Sequence, residues 1–182
     1  METRLLLWIH QFASPALDEA FRVSHQLGTL WFCTALVMVA IVWLLARGRK
    51  DAALLLLGLG LSTLFLQHGL KLMVGRPRPE LWPRLLAAHE AAFPSGHALA
   101  AATFYPALAW LLSEGRPGRR WALLTFAALV ASFVGIGRLY LGVHWPTDVL
   151  AGWLLGATQT TFGLRWLERR PRSHGQTGPG RE

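Results

Sequence analysis

The chain has 182 residues, 53% of them hydrophobic and 15% charged, with a formal net charge of +8. That length suits one domain, and so apolar a composition excludes an ordinary solvated globular surface. The single cysteine, Cys33, excludes a disulfide framework and a thiolate metal site.

In chain order, Met1–Gln26 comes first. Leu5, Leu6, Leu7, Trp8, Ile9 and Phe12 are apolar, but Pro15, Asp18, Glu19 and Arg22 interrupt any continuous span. A short interfacial helix is expected there. The segment lacks the basic leader and small-residue cleavage site of a signal peptide. Charge-free runs follow at Leu27–Ala46, Ala52–Leu70, Ala98–Ser113, Trp121–Gly137 and Val149–Leu164. A transmembrane helix needs roughly 20 apolar residues, about 17 at the short end. The first two runs qualify alone, and the other three do so if their polar ends sit at the bilayer boundary. None shows polar residues recurring at helical spacing, which counts against a soluble helical bundle. Trp8, Trp43, Trp82, Trp110, Trp121, Trp145 and Trp166 lie near span ends, where amphipathic rings favour the interface. The expected fold is therefore all-α: an integral-membrane bundle of about five transmembrane helices plus a short N-terminal interfacial helix. Residues 1–170 make a single membrane-embedded domain. Residues 171–182, rich in Gly, Pro and charge, read as a disordered cytoplasmic tail.

The positive charge could suggest nucleic acid, but its placement argues otherwise. With five spans, the clusters Arg47–Lys50, Arg116–Arg120 and the tail from Arg165 share one side. That side holds 11 Lys and Arg, and the other holds seven: Arg4, Arg22, Lys71, Arg76, Arg78, Arg84 and Arg138. The positive-inside rule assigns the 11 to the cytoplasm. No nucleic-acid surface is expected, and basic loops favour anionic lipid head groups.

Three polar stretches interrupt the apolar chain: Lys71–Pro79 (KLMVGRPRP), Pro94–His97 (PSGH) and Arg138–Asp148 (RLYLGVHWPTD). In the first, Pro77 and Pro79 stop a helix, so Lys71 and Arg78 can converge on one anion. A plain basic membrane flank reads the same way. In the second, Ser95 can cap a helix and Gly96 admits a close ligand. Free amides at a helix start bind anions, and His97 beside them can pass a proton to a leaving oxygen. An ordinary helix cap with an interfacial histidine is the plainer alternative. In the third, Asp148 lies within reach of His144, fixing one ring nitrogen and leaving the other free to attack. Metal ligation by His144, Asp148 and His97 competes with that reading, as does a simple helix-capping pair.

Taken together, the three stretches resemble the type 2 phosphatidic acid phosphatase family. Its signatures are K-x6-RP, PSGH and SR-x5-H-x3-D; here they read Lys71 with Arg78 and Pro79, then Pro94–His97, then Arg138 with His144 and Asp148. The family's serine before the arginine is Gly137, which removes a hydroxyl near the site. The resemblance implies a lipid phosphatase without metal or cofactor. By it, His144 is the nucleophile and forms a phosphohistidine, Asp148 orients it, and His97 protonates the leaving group and then activates water. Lys71, Arg78, Ser95, Gly96 (through its backbone) and Arg138 would bind the phosphoryl oxygens; Arg76 has no role in the family pattern and is expected only to assist electrostatically. His10, His25, His68 and His89 match no motif.

The implied substrate is a lipid phosphate or pyrophosphate. Small bacterial members resemble undecaprenyl pyrophosphate phosphatases, and an outward-facing site in the bacterial inner membrane favours that carrier lipid. Phosphatidylglycerophosphate and phosphatidic acid are the alternatives. A lipid phosphotransferase or a non-enzymatic anionic-lipid binding or transport protein would share the cations. The related vanadium haloperoxidases are larger and soluble.

Overall fold

The computed structural model describes residues 1–83, 90–114 and 116–170. The expected tail at 171–182, together with Arg84 and His89, lies outside the described residues. Seven helices are present among them: α1 (Glu2–His10), α2 (Pro15–Gly28), α3 (Leu30–Ala46), α4 (Lys50–Val74), α5 (Gly96–Leu112), α6 (Pro117–Tyr140) and α7 (Pro146–Glu168).

The N-terminal segment differs from expectation. It forms two helices rather than one, because Pro15 starts a helix instead of ending one. The Ser14 hydroxyl accepts from the Leu17 amide, and Pro15 takes the first helical position, where its missing N–H costs nothing. Thr29 then caps α3 by accepting from the Phe32 amide, and the chain bends 49° between α2 and α3. Helices α4 and α6 are each long and apolar enough to cross a membrane, and the bent pair α2–α3 passes the same test jointly. Helix α5 is apolar but only 17 residues long. Large apolar side chains on outer faces, including Phe65, Phe126, Leu154 and Phe162, are exposed, as lipid-facing positions are.

Helix α5 is the axis of the bundle and packs against α2, α3, α4, α6 and α7. Most of its side chains are buried, and many are alanine, so its neighbours approach closely. The tightest approach is to α7, where Gly152, Gly156 and Thr160 recur every fourth residue. A Cβ on Gly156 would lie 2.8 Å from both Ala102 Cβ and the Leu99 carbonyl. Small residues at this spacing let two membrane helices meet backbone to backbone. The Thr160 hydroxyl adds a 3.0 Å bond to the Thr103 carbonyl. This contact matters because the amino ends of α5 and α7 carry the second and third polar stretches.

Candidate active site

One end of the bundle collects all three stretches. Helix α4 stops where Gly75 adopts a left-handed conformation (φ 57°) and returns its N–H to the Lys71 carbonyl at 3.0 Å. Glycine takes that conformation without a Cβ clash. Pro77 and Pro79 then forbid further helix, and Arg78 folds back over the loop after α6. Its Nε donates to the Glu90 carbonyl and its Nη1 to the Val143 carbonyl, both at 2.7 Å. The amino end of α5 is pinned to α7 by the Ser95 amide, which donates to the Asp148 carbonyl at 3.0 Å.

A cavity of about 240 Å³ lies at this junction, walled by Lys71, Arg78, Gly96, His97, Arg138 and His144. Six of the eight residues singled out in the sequence therefore face one space. The other two stand behind the wall. Asp148 is fully buried beneath His144, and Ser95 is fully buried with its hydroxyl accepting from the Ala98 amide at 3.4 Å. Ser95 thus serves as the cap of α5.

The protonation pattern of His144 follows from its neighbours. Arg78 Nη1 lies 3.2 Å from His144 Nε2, and a guanidinium can only donate. Nε2 must therefore carry the lone pair, and the proton sits on Nδ1, 3.5 Å from Asp148 Oδ2. Burial drives the His144 pKa down to about 4; the Arg138 and Arg78 charges add to this, and Asp148 opposes it. At neutral pH the ring is uncharged, with the Nε2 lone pair directed at Arg78 in the cavity wall.

Asp148 is held from three sides. Its Oδ2 accepts from the Trp145 amide at 2.8 Å, and its Oδ1 accepts from Arg76 Nη1 at 2.8 Å. Arg76 also pairs with Glu2 at 2.6 Å, and Glu2 in turn accepts from the Thr147 amide and hydroxyl. Helix α1 is thereby tied to the start of α7. Arg76 consequently acts on the carboxylate rather than facing the cavity.

Three buried atoms of the wall residues lack a hydrogen bond within the protein: His97 Nε2, Arg138 Nε and His144 Nδ1, the last facing Asp148 Oδ2 at 3.5 Å. Buried polar atoms are almost always satisfied, so atoms left open at a cavity wall are exceptional. At the rim Lys71 is paired with Glu90, which also holds the Glu90 carboxylate below its usual pKa. Among the described residues no group of three His, Cys, Asp or Glu side chains is arranged to hold a metal ion.

The structure adds members that the motifs do not contain. His25 and Gln67 also line the cavity. His25 Nδ1 is 2.7 Å from Arg138 Nη1, and its ring stacks on His97 with centroids 4.8 Å apart. The Ser24 hydroxyl occupies the space beside Gly137. Nothing local in the sequence marks α2 as part of the site. The only available signal was a histidine on an otherwise amphipathic N-terminal segment.

Comparison with known proteins agrees with this geometry. The profile of the PAP2 superfamily matches residues 51–172. Phosphatidylglycerophosphatase B of Bacillus subtilis is 36% identical over 146 residues, covering 78% of this chain and 71% of its own length. An undecaprenyl-diphosphatase of Sulfolobus acidocaldarius is 46% identical over 65 residues, covering 36% of this chain and 28% of its own length. Among solved structures, a transmembrane PAP2-type phosphatidylglycerolphosphate phosphatase from Bacillus subtilis superimposes with a TM-score of 0.87 at 30% identity, covering 94% of this chain and 87% of the other. LpxE of Aquifex aeolicus superimposes with a TM-score of 0.71 at 26% identity, covering 90% and 94%. With the family signatures brought to one cavity and the superfamily profile spanning more than half its length, this chain belongs to the PAP2 superfamily, as an integral-membrane lipid phosphatase.

Proposed function

We propose that the chain removes the terminal phosphate of phosphatidylglycerophosphate through a phosphohistidine on His144. The observation that carries this choice is the similarity to phosphatidylglycerophosphatase B, which extends over 78% of the chain. It moves the preference away from undecaprenyl pyrophosphate, the substrate expected first from the sequence. That lipid remains the second reading, favoured by the 46% identity to the shorter matched region of an undecaprenyl-diphosphatase.

In the proposed reaction His144 Nε2 attacks phosphorus, forming a P–N bond as the P–O bond to the lipid breaks. His97, charged as the imidazolium beside the bound phosphate dianion, gives its Nε2 proton to the departing oxygen and is left neutral. His97 then takes a proton from water, the water oxygen attacks phosphorus, and the P–N bond breaks to release inorganic phosphate. Phosphoryl transfer needs mainly positioning and stabilisation of negative charge. Lys71, Arg78 and Arg138 supply that charge, the Gly96 amide adds a donor at the start of α5, and Ser95 keeps that helix start in place. Asp148 holds the proton-bearing side of His144. Three cations around one anion make the reaction metal-independent.

The same reading sets the protein in the membrane. Helices α3 to α7 would be the five spans, with α1 and α2 at the interface beside the site. The excess of Lys and Arg at the far end supports a cytoplasmic placement of that end. The cavity would then open to the outer side of a bacterial inner membrane. Residues 1–170 would act as one domain and 171–182 as a disordered tail.

The test is phosphate release by detergent-solubilised protein in excess EDTA. Phosphatidylglycerophosphate, undecaprenyl pyrophosphate and phosphatidic acid are offered in parallel, with His144→Ala as control. Turnover that favours phosphatidylglycerophosphate and vanishes in the variant is expected. Preference for the pyrophosphate would select the second reading. Retained anion binding without release from any lipid would point to transfer or carriage and sink the hydrolytic reading.

A further inference from the structure

The face of α2 formed by Ser24, His25 and Gly28 touches the reacting groups although no family motif includes it. Gly28 permits the contact: a Cβ there would lie 2.9 Å from His97 Cδ2 and 2.6 Å from Val134 Cγ1. Helix α2 therefore presses directly on the proton donor. Next to it His25 makes two contacts, one to Arg138 and one to His97. Because the Arg138 guanidinium has no acceptor, the 2.7 Å contact assigns the lone pair of His25 to Nδ1. The ring is neutral, with its proton on Nε2. Arg138 itself is 3% exposed and its Nε has no protein partner, so the His25 contact at Nη1 is what fixes the fork.

We propose that His25 is a positioning residue for phosphoryl transfer, holding Arg138 in the orientation that offers Nε to the phosphoryl group and backing the ring of His97. The inference rests on the proposed phosphatase reading. The physical case is preorganisation. A guanidinium whose rotamer is set before substrate arrives loses little freedom when it meets a developing negative charge. The neutral acceptor is required for this. A protonated imidazole would lose the bond and place a second positive charge 2.7 Å from the first. The only carboxylate among the cavity-lining residues described is Glu90, and it is engaged by Lys71. Stacking confers the second effect. The His25 and His97 rings are inclined by 24°, so one ring limits the swing of the other.

Two variants separate the contacts. In His25→Asn the amide oxygen takes the place of Nδ1 and can still accept from Arg138. In His25→Phe the ring remains but the acceptor is gone. Both are tested for thermal midpoint, for kcat and KM on phosphatidylglycerophosphate micelles, and for binding of orthovanadate by calorimetry. His25→Asn is expected to stay within about threefold of the parent in kcat/KM and vanadate affinity, since the charge-assisted bond survives. His25→Phe is expected to lose about ten- to hundredfold in kcat/KM, the usual worth of a hydrogen bond to a charged group. The loss should lie mainly in kcat, with vanadate bound about tenfold more weakly.

Equal behaviour of the two variants at unchanged thermal midpoint would overturn the proposal. If His25→Phe does not fold, the Asn variant decides: a vanadate affinity reduced about tenfold or more despite the retained acceptor also overturns it. Failure of the phosphatase reading is distinguishable, because the unmodified protein would then bind vanadate but release no phosphate from any lipid.

Discussion

Ser24 on α2 fills the space that the side chain of residue 137 would otherwise occupy. A Cβ on Gly137 would stand 3.1 Å from Ser24 Cβ and overlap the Ser24 hydroxyl, which donates to the Phe21 carbonyl at 2.8 Å. The hydroxyl missing from the family's third motif is thus present nearby, on a different helix. Restoring the motif alone should therefore harm this protein. Gly137→Ser is expected to destabilise by about 1–3 kcal/mol, the usual cost of overpacking. Gly137→Ser combined with Ser24→Gly should recover most of that loss. Thermal unfolding of the two single variants and the double variant in detergent measures the coupling; additive losses would refute the exchange.

Arg76 is a cation that acts through a partner. Its ion pair with Asp148 joins a guanidinium that is 26% exposed to a carboxylate that is wholly buried. Arg76→Ala leaves Asp148 Oδ1 without that donor, at a cost of about 1–3 kcal/mol. A drop in kcat of about tenfold or more is expected with KM little changed, because His144 loses its fixed carboxylate. Glu2→Gln should have a smaller effect of the same sign. Steady-state kinetics on both variants checks the order.

The spacing between α5 and α7 sets the distance between His97 and His144. Gly156→Val would push the Leu99 carbonyl and Ala102 apart from α7. The change lies about two helical turns from Asp148. We expect a lower thermal midpoint and an activity loss larger than the loss of folded protein. Gly58→Val on α4, where an added Cβ meets nothing within 4 Å, is the matched control and should leave activity intact. Phosphate release per folded molecule decides the matter.

His144 titrates far from its usual value of 6.5, at about 4. Burial lowers the folded-state pKa, so the ring stays neutral through neutral pH and is protonated only as pH falls through about 4. The stability that comes from burying it uncharged is complete above pH 6.5 and declines below it, because the unfolded chain takes up the proton first. Nitrogen-15 NMR of labelled histidine, with the His144 signals assigned by their loss in His144→Ala, should give a midpoint near 4. Asp148→Asn should move it lower still, since the carboxylate supports the protonated ring.

Much of this molecule is written locally in its sequence. Charge-free runs specify helices because a buried backbone in lipid must satisfy its own hydrogen bonds. Stop signals such as Gly75, Pro77 and Pro79 place Lys71 and Arg78 at a helix end, and the Ser95 cap and Pro146 start place His97 and Asp148 at two others. The three motifs therefore disclosed the cations, the two histidines and the carboxylate before any tertiary contact was known. The N-terminal region was less legible, because Pro15 reads as an interruption until Ser14 is seen capping the helix it begins.

Tertiary structure alone decided which other groups join the site. The His25 contact to Arg138 spans 113 residues of sequence, and the Arg76 contact to Asp148 spans 72. Neither pair has a periodicity or a spacing that could announce it. Each depends on where whole helices come to rest, which small residues such as Gly28, Gly137, Gly152 and Gly156 determine by how closely backbones can approach. Local sequence fixes chemistry and helix ends, while packing fixes the partners. That is why His144 could be singled out from the chain and the histidine behind Arg138 could not.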